Sequence, residues 1–239
     1  MHIALNGWFW NRPNSGSGQY IRYLTYHLNR LVSDLDLTLI CPASEKEPDA
    51  VPPSVHVKMV ANRPGQVGKV LFEQYLFPKA VAEVGADLAH VPYWGPPMQC
   101  AAPVVVTIHD ITTELVREYR DSVKARIYNA LITASARGAS HIITDSNSAR
   151  DDIIRHLKIE PDNVSTVYLG VDTNVFTPED NFLLDMAVQK QYDLPDDYIL
   201  YLGGYEIHKN VVTLLHAYTY VSRALGEDYP LLLAGRQPE

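Results

Sequence analysis

A histidine and an aspartate, His109 and Asp110, directly follow an apolar run at residues 104–108 that is typical of a buried strand. Open α/β sheets bind their ligands at the carboxyl ends of their strands, so both side chains stand where chemistry occurs. A histidine ring can donate or accept a hydrogen bond at a ligand hydroxyl, and Asp110 can orient that ring or cap the next helix. The alternative is an ordinary histidine beside a helix cap.

A glycine-rich loop at residues 15–19, with the sequence SGSGQ, precedes the first predicted helix. Gly16 and Gly18 allow the backbone to approach a ligand closely, and the helix start offers unpaired N–H groups and a positive dipole end. Together these features suit a diphosphate. The dinucleotide fingerprint G-x-G-x-x-G is not met because Ile21 stands at its third glycine, which argues against a nicotinamide or flavin cofactor. The alternative is a flexible loop between a strand and a helix.

A second strand, glycine and helix unit lies near the end of the chain. Gly203 and Gly204 follow the apolar run 198–202, and Lys209 lies at the start of a helix predicted over 211–225. A lysine opposes the dipole at a helix start, so a bound anion would explain this placement. Gly203 and Gly204 are then candidates for the lining of a cleft. The alternative is a solvated surface lysine.

Other patterns are weaker indications of a functional site. Asp34 and Asp36 match the D-x-D pattern of metal-dependent transferases, but they fall between a helix and a strand and indicate a solvated turn. Residues 145–148 are typical of a helix cap, in which Ser146 is a further candidate for the cleft. The nine histidines show no metal-ligand spacing. No metal site is predicted.

Short apolar runs alternate with helical segments along the first 170 residues. The predicted strands cover residues 3–5, 37–40, 55–60, 87–91, 104–108, 142–144 and 163–168. The first predicted helix begins near residue 19, and the second covers residues 70–84, where Pro78 interrupts it. Two further predicted helices cover residues 124–137 and 148–157. This alternation predicts an α/β fold: a doubly wound parallel sheet of the Rossmann type with helices on both faces.

The chain divides into two predicted domains, residues 1–175 and 176–239, with turn-rich residues 170–180 as the linker. The second domain contains two predicted strands, 198–202 and 231–233, around the helix 211–225. Two parallel strands cannot bury their faces alone, so these elements are expected to be the incomplete start of a second Rossmann-like domain, or to dock on something else.

Composition narrows the classes of function. The formal net charge of −8 makes nucleic acid an unsuitable partner, because a protein that binds the phosphates of nucleic acid needs a basic face. Cys41 and Cys100 lie in no metal-binding pattern and are expected to be reduced thiols of a cytoplasmic protein. The N-terminus lacks the pattern of a signal peptide, and no apolar stretch is long enough for a membrane span.

Four motifs in this order resemble those of glycosyltransferase family 4, retaining enzymes of the GT-B fold. The first is the loop at Gly16 and Gly18, and the second is the run VTIHD at residues 106–110. The third comprises residues 142–148, the helix that follows them, and residues 167–172. The fourth comprises residues 201–210. The resemblance implies that Gly16 contacts the donor diphosphate or the acceptor, that His109 lies beside the transferred sugar, and that Lys209 binds the donor diphosphate.

Two departures from the family pattern stand out. Gly204 occupies a place where the family often has an arginine, so one phosphate contact is missing. The paired glutamates that bind the nucleotide in the family would lie beyond Glu239, and this chain is therefore expected to be inactive by itself.

The predicted function is the transfer, with retention, of a sugar from a nucleotide diphosphate sugar to a carbohydrate or glycolipid acceptor. The fourth motif hints at GDP-mannose, no cofactor is expected, and His109 and Asp110 are the catalytic candidates. A basic cluster predicts weak peripheral membrane contact, and it consists of Arg117, Arg120, Lys124 and Arg126. The alternative interpretation of this cluster is a solvated helix. The alternative functions are a sugar-nucleotide epimerase of the same fold and a non-catalytic carbohydrate-binding or scaffold protein.

Overall fold

The structure, a computed structural model, describes residues 1–43, 46–178, 182–225 and 228–235. The chain forms two compact units, Met1–Leu169 and Gly170–Glu239. The division falls at the start of the predicted linker. Asp180, where that linker was expected to end, and Glu239 lie outside the described residues.

The first unit is built on a sheet of seven parallel strands. In chain order they are β1 (His2–Asn6), β2 (Asp36–Pro42), β3 (His56–Val60), β4 (Leu88–Val91), β5 (Val104–Thr107), β6 (His141–Thr144) and β7 (Val164–Thr166). Their order across the sheet is β3-β2-β1-β4-β5-β6-β7. The order reverses between β1 and β4, where Ile3 pairs with both Leu37 and Leu88. This is the doubly wound sheet predicted from the sequence.

The helices of this unit lie on both faces of the sheet. They are α1 (Gly16–Leu31), α2 (Gly65–Leu71), α3 (Phe77–Val84), α4 (Thr112–Leu115), α5 (Val123–Arg137) and α6 (Asn147–Leu157). Crossovers between parallel strands are right-handed, so connections that run in opposite directions along the sheet pass over opposite faces. The connection through α1 runs one way, and those through α3, α5 and α6 run the other way.

Two apolar clusters follow from this arrangement because alternate residues of a strand face opposite sides. Ile3 and Leu5 of β1 pack with Ile21 of α1 in the smaller cluster. Ala4, between them in the chain, belongs to the larger cluster, which contains Phe77 of α3 together with residues of α5 and α6. Each face of the sheet is thereby buried under its own helices.

The segment around Pro78 differs from the prediction of an interrupted helix. The chain passes from α2 into α3 through a π-helical turn, Phe72–Leu76, and Pro78 stands in the first turn of α3. Proline has no N–H to donate, so the wider turn accommodates it, and the N–H of Phe77 donates to the carbonyl of Phe72. The helical path therefore continues and changes its hydrogen-bond register.

The second unit contains α7 (Phe182–Tyr192), β8 (Ile199–Leu202), α8 (Val211–Leu225) and β9 (Leu231–Ala234). β8 and β9 pair in parallel, as predicted, whereas α7 was not predicted. Apolar side chains on β8 remain exposed, with Leu202 at 77% and Leu200 at 54%. No helix among the described residues is both long enough and apolar enough to cross a membrane.

Candidate functional site

The candidate site lies at the carboxyl edge of the seven-stranded sheet, where β1, β4, β5 and β6 end. The strand order reverses between β1 and β4, and that gap is the usual ligand crevice of an open α/β sheet. Polar residues end these strands although their interiors are apolar: Asn6 ends β1 and Thr107 ends β5, and both are fully buried. A polar edge on an apolar sheet is suited to binding a polar ligand.

His109 occupies the turn after β5 and is held on three sides. Its Nδ1 lies 2.7 Å from Oδ2 of Asp145, and its Nε2 lies 3.3 Å from the carbonyl oxygen of Pro92. The ring of Tyr20, from α1, meets the His109 ring edge-on at 4.8 Å between centroids. The His109 side chain remains 23% exposed, so it is fixed in place and still accessible.

The two histidines of the site have different surroundings. The ring nitrogens of His109 face a carboxylate oxygen of Asp145 and the carbonyl oxygen of Pro92, and both oxygens accept hydrogen bonds. His90, by contrast, is buried on β4. Burial, with a smaller electrostatic contribution from nearby His109, lowers the pKa of His90 to about 4. His90 is therefore neutral near pH 7.

A short hydrogen-bond chain connects these side chains beneath the surface. The hydroxyl of Thr107 lies 2.9 Å from Nε2 of His90 and 3.1 Å from the hydroxyl of Tyr20. Burial raises the pKa of Tyr20, although its hydrogen bond to Thr107 acts against that rise. Tyr20 therefore stays a neutral phenol and links α1 to the floor of the site.

Asp110 does not orient the histidine. Its Oδ1 accepts a hydrogen bond of 2.8 Å from the backbone N–H of Thr112, and the side chain is exposed. Asp145 is the carboxylate that orients the ring, whereas Asp110 precedes Ile111, the N-cap residue of the short helix α4, and binds the first N–H of that helix across a turn. A catalytic role of Asp110 stays a prediction.

The two glycines at the start of α1 differ in what surrounds them. A Cβ on Gly18 would lie 2.0 Å from the carbonyl oxygen of Arg12, so the helix start packs directly on its own loop. A Cβ on Gly16 would meet nothing within 4 Å. Ser15 caps the helix by accepting from the N–H of Gly18. Packing explains Gly18, whereas Gly16 faces open space. Diphosphate binding by Gly16 and Gly18 stays a prediction.

Ser146 begins α6, next to Asp145. Its hydroxyl accepts a hydrogen bond of 3.1 Å from the N–H of Ala149, as expected of a helix cap. The cap fixes the turn that carries Asp145, and so it helps to aim that carboxylate at His109. The structure thus gives Ser146 a supporting position, and its contact with a ligand stays a prediction.

In the second unit, Gly203 and Gly204 follow β8 as predicted. The N–H of Gly203 donates to the carbonyl of Ala234 at 3.0 Å, and the hydroxyl of Tyr201 donates to the carbonyl of Gly204 at 2.6 Å. Lys209 ends a single 3₁₀ turn, Ile207–Lys209, and is exposed two residues before α8. The strand, loop and helix are those predicted, and the role of Lys209 on a diphosphate stays a prediction.

A buried carboxylate supports the loop after β4. Glu73, on the π-helical turn, is fully buried and lies 3.3 Å from Nζ of Lys69, while the hydroxyl of Tyr128 donates to it at 3.1 Å. Burial raises the pKa of Glu73, and the charge of Lys69 acts against that rise. A Cβ on Gly95 would lie 2.6 Å from Oε1 of Glu73, so the loop backbone sits directly on this carboxylate.

Gln74, the next residue on the π-helical turn, binds the same loop. Its Nε2 donates to the carbonyl of Pro96 at 3.0 Å, and its Oε1 accepts from the N–H of Met98 at 3.0 Å. The loop begins with Pro92, whose carbonyl contacts His109. Glu73 and Gln74 therefore help to fix one of the contacts that orient the histidine.

The D-x-D pattern is placed away from this site. Asp36 is the first residue of β2, at the amino edge of the sheet, and Asp34 lies in the turn before it. Among the residues that the structure describes, no three side chains of His, Cys, Asp or Glu come together in a way that could hold a metal ion.

Four residues of the site were not identified from the sequence: Tyr20, His90, Thr107 and Asp145. Asp145 carried a usable signal, because it follows β6 as His109 follows β5, and the same strand-end argument applies to both. His90 carried a weaker signal, a polar residue inside an apolar strand. Nothing in the spacing of the 15 tyrosines distinguishes Tyr20.

Residues 14–175, more than half of the chain, match the model of Glycosyltransferase Family 4. The chain belongs to that family. The matched region contains all of the His109 site except its first strand and Asn6. The resemblance found in the four motifs is thereby confirmed.

The relatives that the sequence matches include mannosyltransferases of Escherichia coli. O-antigen chain mannosyltransferase B is 30% identical over 131 residues, which cover 55% of this chain and 34% of that protein. The serotype-specific mannosyltransferase WbdA is 29% identical over 137 residues, which cover 56% of this chain and 17% of that protein. The chain thus spans about a third or less of the length of these curated relatives.

Solved structures show the same fold at low identity. The glycosyltransferase WaaG, involved in lipopolysaccharide biosynthesis, matches with a TM-score of 0.70 at 13% identity, over 97% of this chain and 62% of that chain. HepE of Anabaena, in complex with UDP-glucose, matches with a TM-score of 0.56 at 12% identity, over 99% of this chain and 70% of that chain. The GT-B-like α/β fold predicted from the sequence is confirmed.

Proposed function

We propose that this chain contributes the acceptor-binding domain and part of the donor-binding domain of a retaining glycosyltransferase. The enzyme transfers a hexose from a nucleotide diphosphate sugar to a carbohydrate or glycolipid acceptor. Membership of glycosyltransferase family 4 supports the reaction class. The mannosyltransferase relatives support mannose as the sugar, and GDP-mannose as the donor follows from that.

The observation that carries the proposal is the immobilised His109 at the carboxyl edge of the sheet. Asp145 binds its Nδ1 tightly at 2.7 Å, whereas the contact of Nε2 with the carbonyl of Pro92 is longer, at 3.3 Å. A sugar hydroxyl can therefore replace Pro92 as the hydrogen-bond partner of Nε2 while Asp145 keeps the ring in place. This preorganised contact positions the sugar without reorganisation during the reaction.

The leaving diphosphate needs positive charge as it departs from the sugar. We assign that role to Lys209, supported by the helix dipole at the start of α8, and to the open backbone at Gly16. Lys209 is exposed, and nothing stands where a side chain on Gly16 would be. Both positions are accessible to an anion, and the charge that they offer is independent of a metal ion.

The experiment compares His109→Ala with His27→Ala, a substitution of an exposed histidine on α1, in the full natural protein. Release of nucleotide diphosphate from GDP-mannose is measured with and without mixed mannose-containing acceptors, beside the melting temperature. We expect acceptor-dependent release that falls roughly a hundredfold in His109→Ala at an unchanged melting temperature. A lower melting temperature with normal activity per folded molecule would make His109 a structural residue.

The same assay separates the alternatives. Release that does not depend on the acceptor, accompanied by a changed sugar configuration, would indicate a sugar-nucleotide epimerase. Binding of carbohydrate without any release would indicate a non-catalytic carbohydrate-binding protein. Either result would overturn the proposed transfer reaction.

A further inference from the structure

A cavity of about 600 Å³ lies along α5, and it shares no lining residue with the His109 network. Its walls come from α4, from the single 3₁₀ turn Arg117–Arg120 with Asp121 after it, from α5, and from the end of α6. At its far end Arg137, the last residue of α5, donates from Nε to the carbonyl of Leu157 at 2.8 Å. Because both helices end at the amino edge of the sheet, this end lies opposite the candidate active site.

The lining of this cavity is basic although the chain is acidic. Four arginines line it, Arg117, Arg120, Arg126 and Arg137, against the two carboxylates of Glu114 and Asp121. The whole chain has a formal net charge of −8, so basic residues are concentrated here against the average. Guanidinium groups bind phosphate through paired N–H groups, and a group of them around one cavity favours an anion. We refer to it as the arginine cavity.

The carboxylates neutralise only part of this charge. Glu114 accepts from Nη1 of Arg120 at 3.3 Å, and both side chains are partly exposed. Neither Arg117 nor Arg126 forms an ion pair with any residue that the structure describes, and both are exposed. These two guanidinium groups are available to a ligand.

One donor of Arg120, a residue that lines the cavity, lacks an acceptor. Nε of Arg120 is buried and makes no hydrogen bond with the described part of the chain. A buried N–H without a partner is costly, and native proteins rarely retain one. The described protein atoms therefore leave the hydrogen bonding of the Arg120 guanidinium incomplete, in the cavity that the other three arginines also line.

We propose that the arginine cavity is a second anion site, which binds a phosphate-bearing ligand through Arg117, Arg120 and Arg126. Its volume accommodates a diphosphate with part of the group that carries it. His156, also on the wall, adds a further donor. The site does not depend on the transfer reaction proposed above, because its lining and the His109 network share no residue.

Two sources can supply such a phosphate, a soluble ligand or the headgroup of a lipid. The second source corresponds to the membrane contact predicted for the basic cluster. Val123 and Ile127 are 61% and 66% exposed on α5, but neither lines the cavity. Apolar contacts with a bilayer and phosphate contacts inside the cavity can therefore be measured separately.

The test titrates the protein with inorganic pyrophosphate at low ionic strength, by calorimetry. The double variant Arg117→Gln/Arg126→Gln should bind at least about tenfold more weakly than the unsubstituted protein. The control Arg155→Gln, which removes an exposed arginine of α6 outside the cavity, should keep the full affinity. Lys209→Ala is titrated beside it, because the proposed donor-diphosphate contact can also bind pyrophosphate, and it separates binding at that contact from binding in the cavity. Unchanged melting temperatures without ligand would show that all variants fold.

Absence of pyrophosphate binding, or equal loss in the double variant and in Arg155→Gln, would overturn the site. Loss in Lys209→Ala alone would assign the binding to the donor site and would also overturn it. Vesicles of phosphatidylcholine with and without phosphatidic acid then identify the source. Binding that needs phosphatidic acid and is displaced by pyrophosphate supports a lipid headgroup, and vesicle binding that the two substitutions leave unchanged excludes it.

Discussion

The carboxylate of Asp145 lies 2.7 Å from Nδ1 of His109, although 36 residues separate the two in the chain. Asp145 stands directly after β6, His109 stands two residues after the end of β5, and β5 and β6 are neighbours in the sheet. Parallel pairing therefore brings the two strand ends together, and the cap formed by Ser146 fixes the turn that carries the carboxylate. The orientation of the histidine is a product of sheet register.

This relationship predicts the effect of Asp145→Asn. The amide can still accept a hydrogen bond, but the charge that strengthens the bond to the ring is lost, about 1–2 kcal/mol. We expect the transfer rate of the full natural protein to fall roughly five- to thirtyfold and the pH dependence of the rate to shift. Asp151→Asn, an exposed substitution on α6, should change neither. An unaltered rate and pH profile in Asp145→Asn would remove the positioning role.

His90 should make the protein sensitive to mild acid. Its folded-state pKa, lowered to about 4 by burial, lies below the ordinary value of 6.5, so between these values the unfolded state binds more protons than the folded state. Stability contributed by His90 is complete above pH 6.5 and is lost as the pH falls towards 4, by roughly 3 kcal/mol in all.

The measurement for His90 compares urea unfolding of the unsubstituted protein and of His90→Gln between pH 4 and pH 7. Glutamine can keep a hydrogen bond to Thr107 and does not titrate. Other titrating groups with shifted pKa values, Glu73 among them, are present in both proteins, so their effects cancel in the difference. A difference in unfolding free energy that stays constant over this range would contradict the buried neutral state of His90.

The two glycines of the first loop should respond differently to alanine. Gly18→Ala brings a methyl group against the carbonyl of Arg12 and should destabilise the protein by about 1–3 kcal/mol. Gly16→Ala meets open space and should change stability by less than about 0.5 kcal/mol. If Gly16 is approached by the diphosphate, its variant should nevertheless bind GDP-mannose more weakly. Thermal melts with equilibrium binding decide both points, and equal melts for the two variants would refute the packing argument.

Lys209→Ala should weaken binding of the nucleotide sugar by roughly ten- to a hundredfold, because hydrogen bonds to charged groups contribute about 1.5–3 kcal/mol. Lys190→Ala, on α7, is the matched control, since both lysines are exposed and only one follows the glycine-rich strand end. Dissociation constants from calorimetry with GDP-mannose are compared. The assignment to the diphosphate fails if both substitutions act alike or if Lys209→Ala has no effect.

Apolar runs in the sequence predicted both the sheet and the position of His109 in the site. Apolar runs mark buried strands clearly, so β5 was located within one residue and His109 was recognised at its end. The turn at Asp145 was recognised too, but it was interpreted only as a helix cap, since spacing along the chain does not reveal which strands become neighbours. Contacts between elements need the sheet order, which the periodicity of single segments does not contain.

Other differences have local causes. Pro78 was expected to interrupt its helix, but one π-helical turn absorbs the missing N–H and places Glu73 and Gln74 against the loop after β4. Glu73 is a charged residue type that is almost never buried without a partner, and nothing in the sequence indicates that Lys69 and Tyr128 supply one. In α7 (Phe182–Tyr192) the apolar residues cluster at one end instead of following one helical face, so no period marked it.

The pairing of Ile3 with both Leu37 and Leu88 also sets an order of assembly on the ribosome. β1, β2 and β3 can pair soon after they emerge, and β1 then presents an unpaired apolar edge until β4 has been synthesised, about 30 residues after the end of β3. Such an edge can pair with another chain, so this interval is when a nascent chain is most prone to aggregate. The crevice between β1 and β4 comes into being only when that edge is closed.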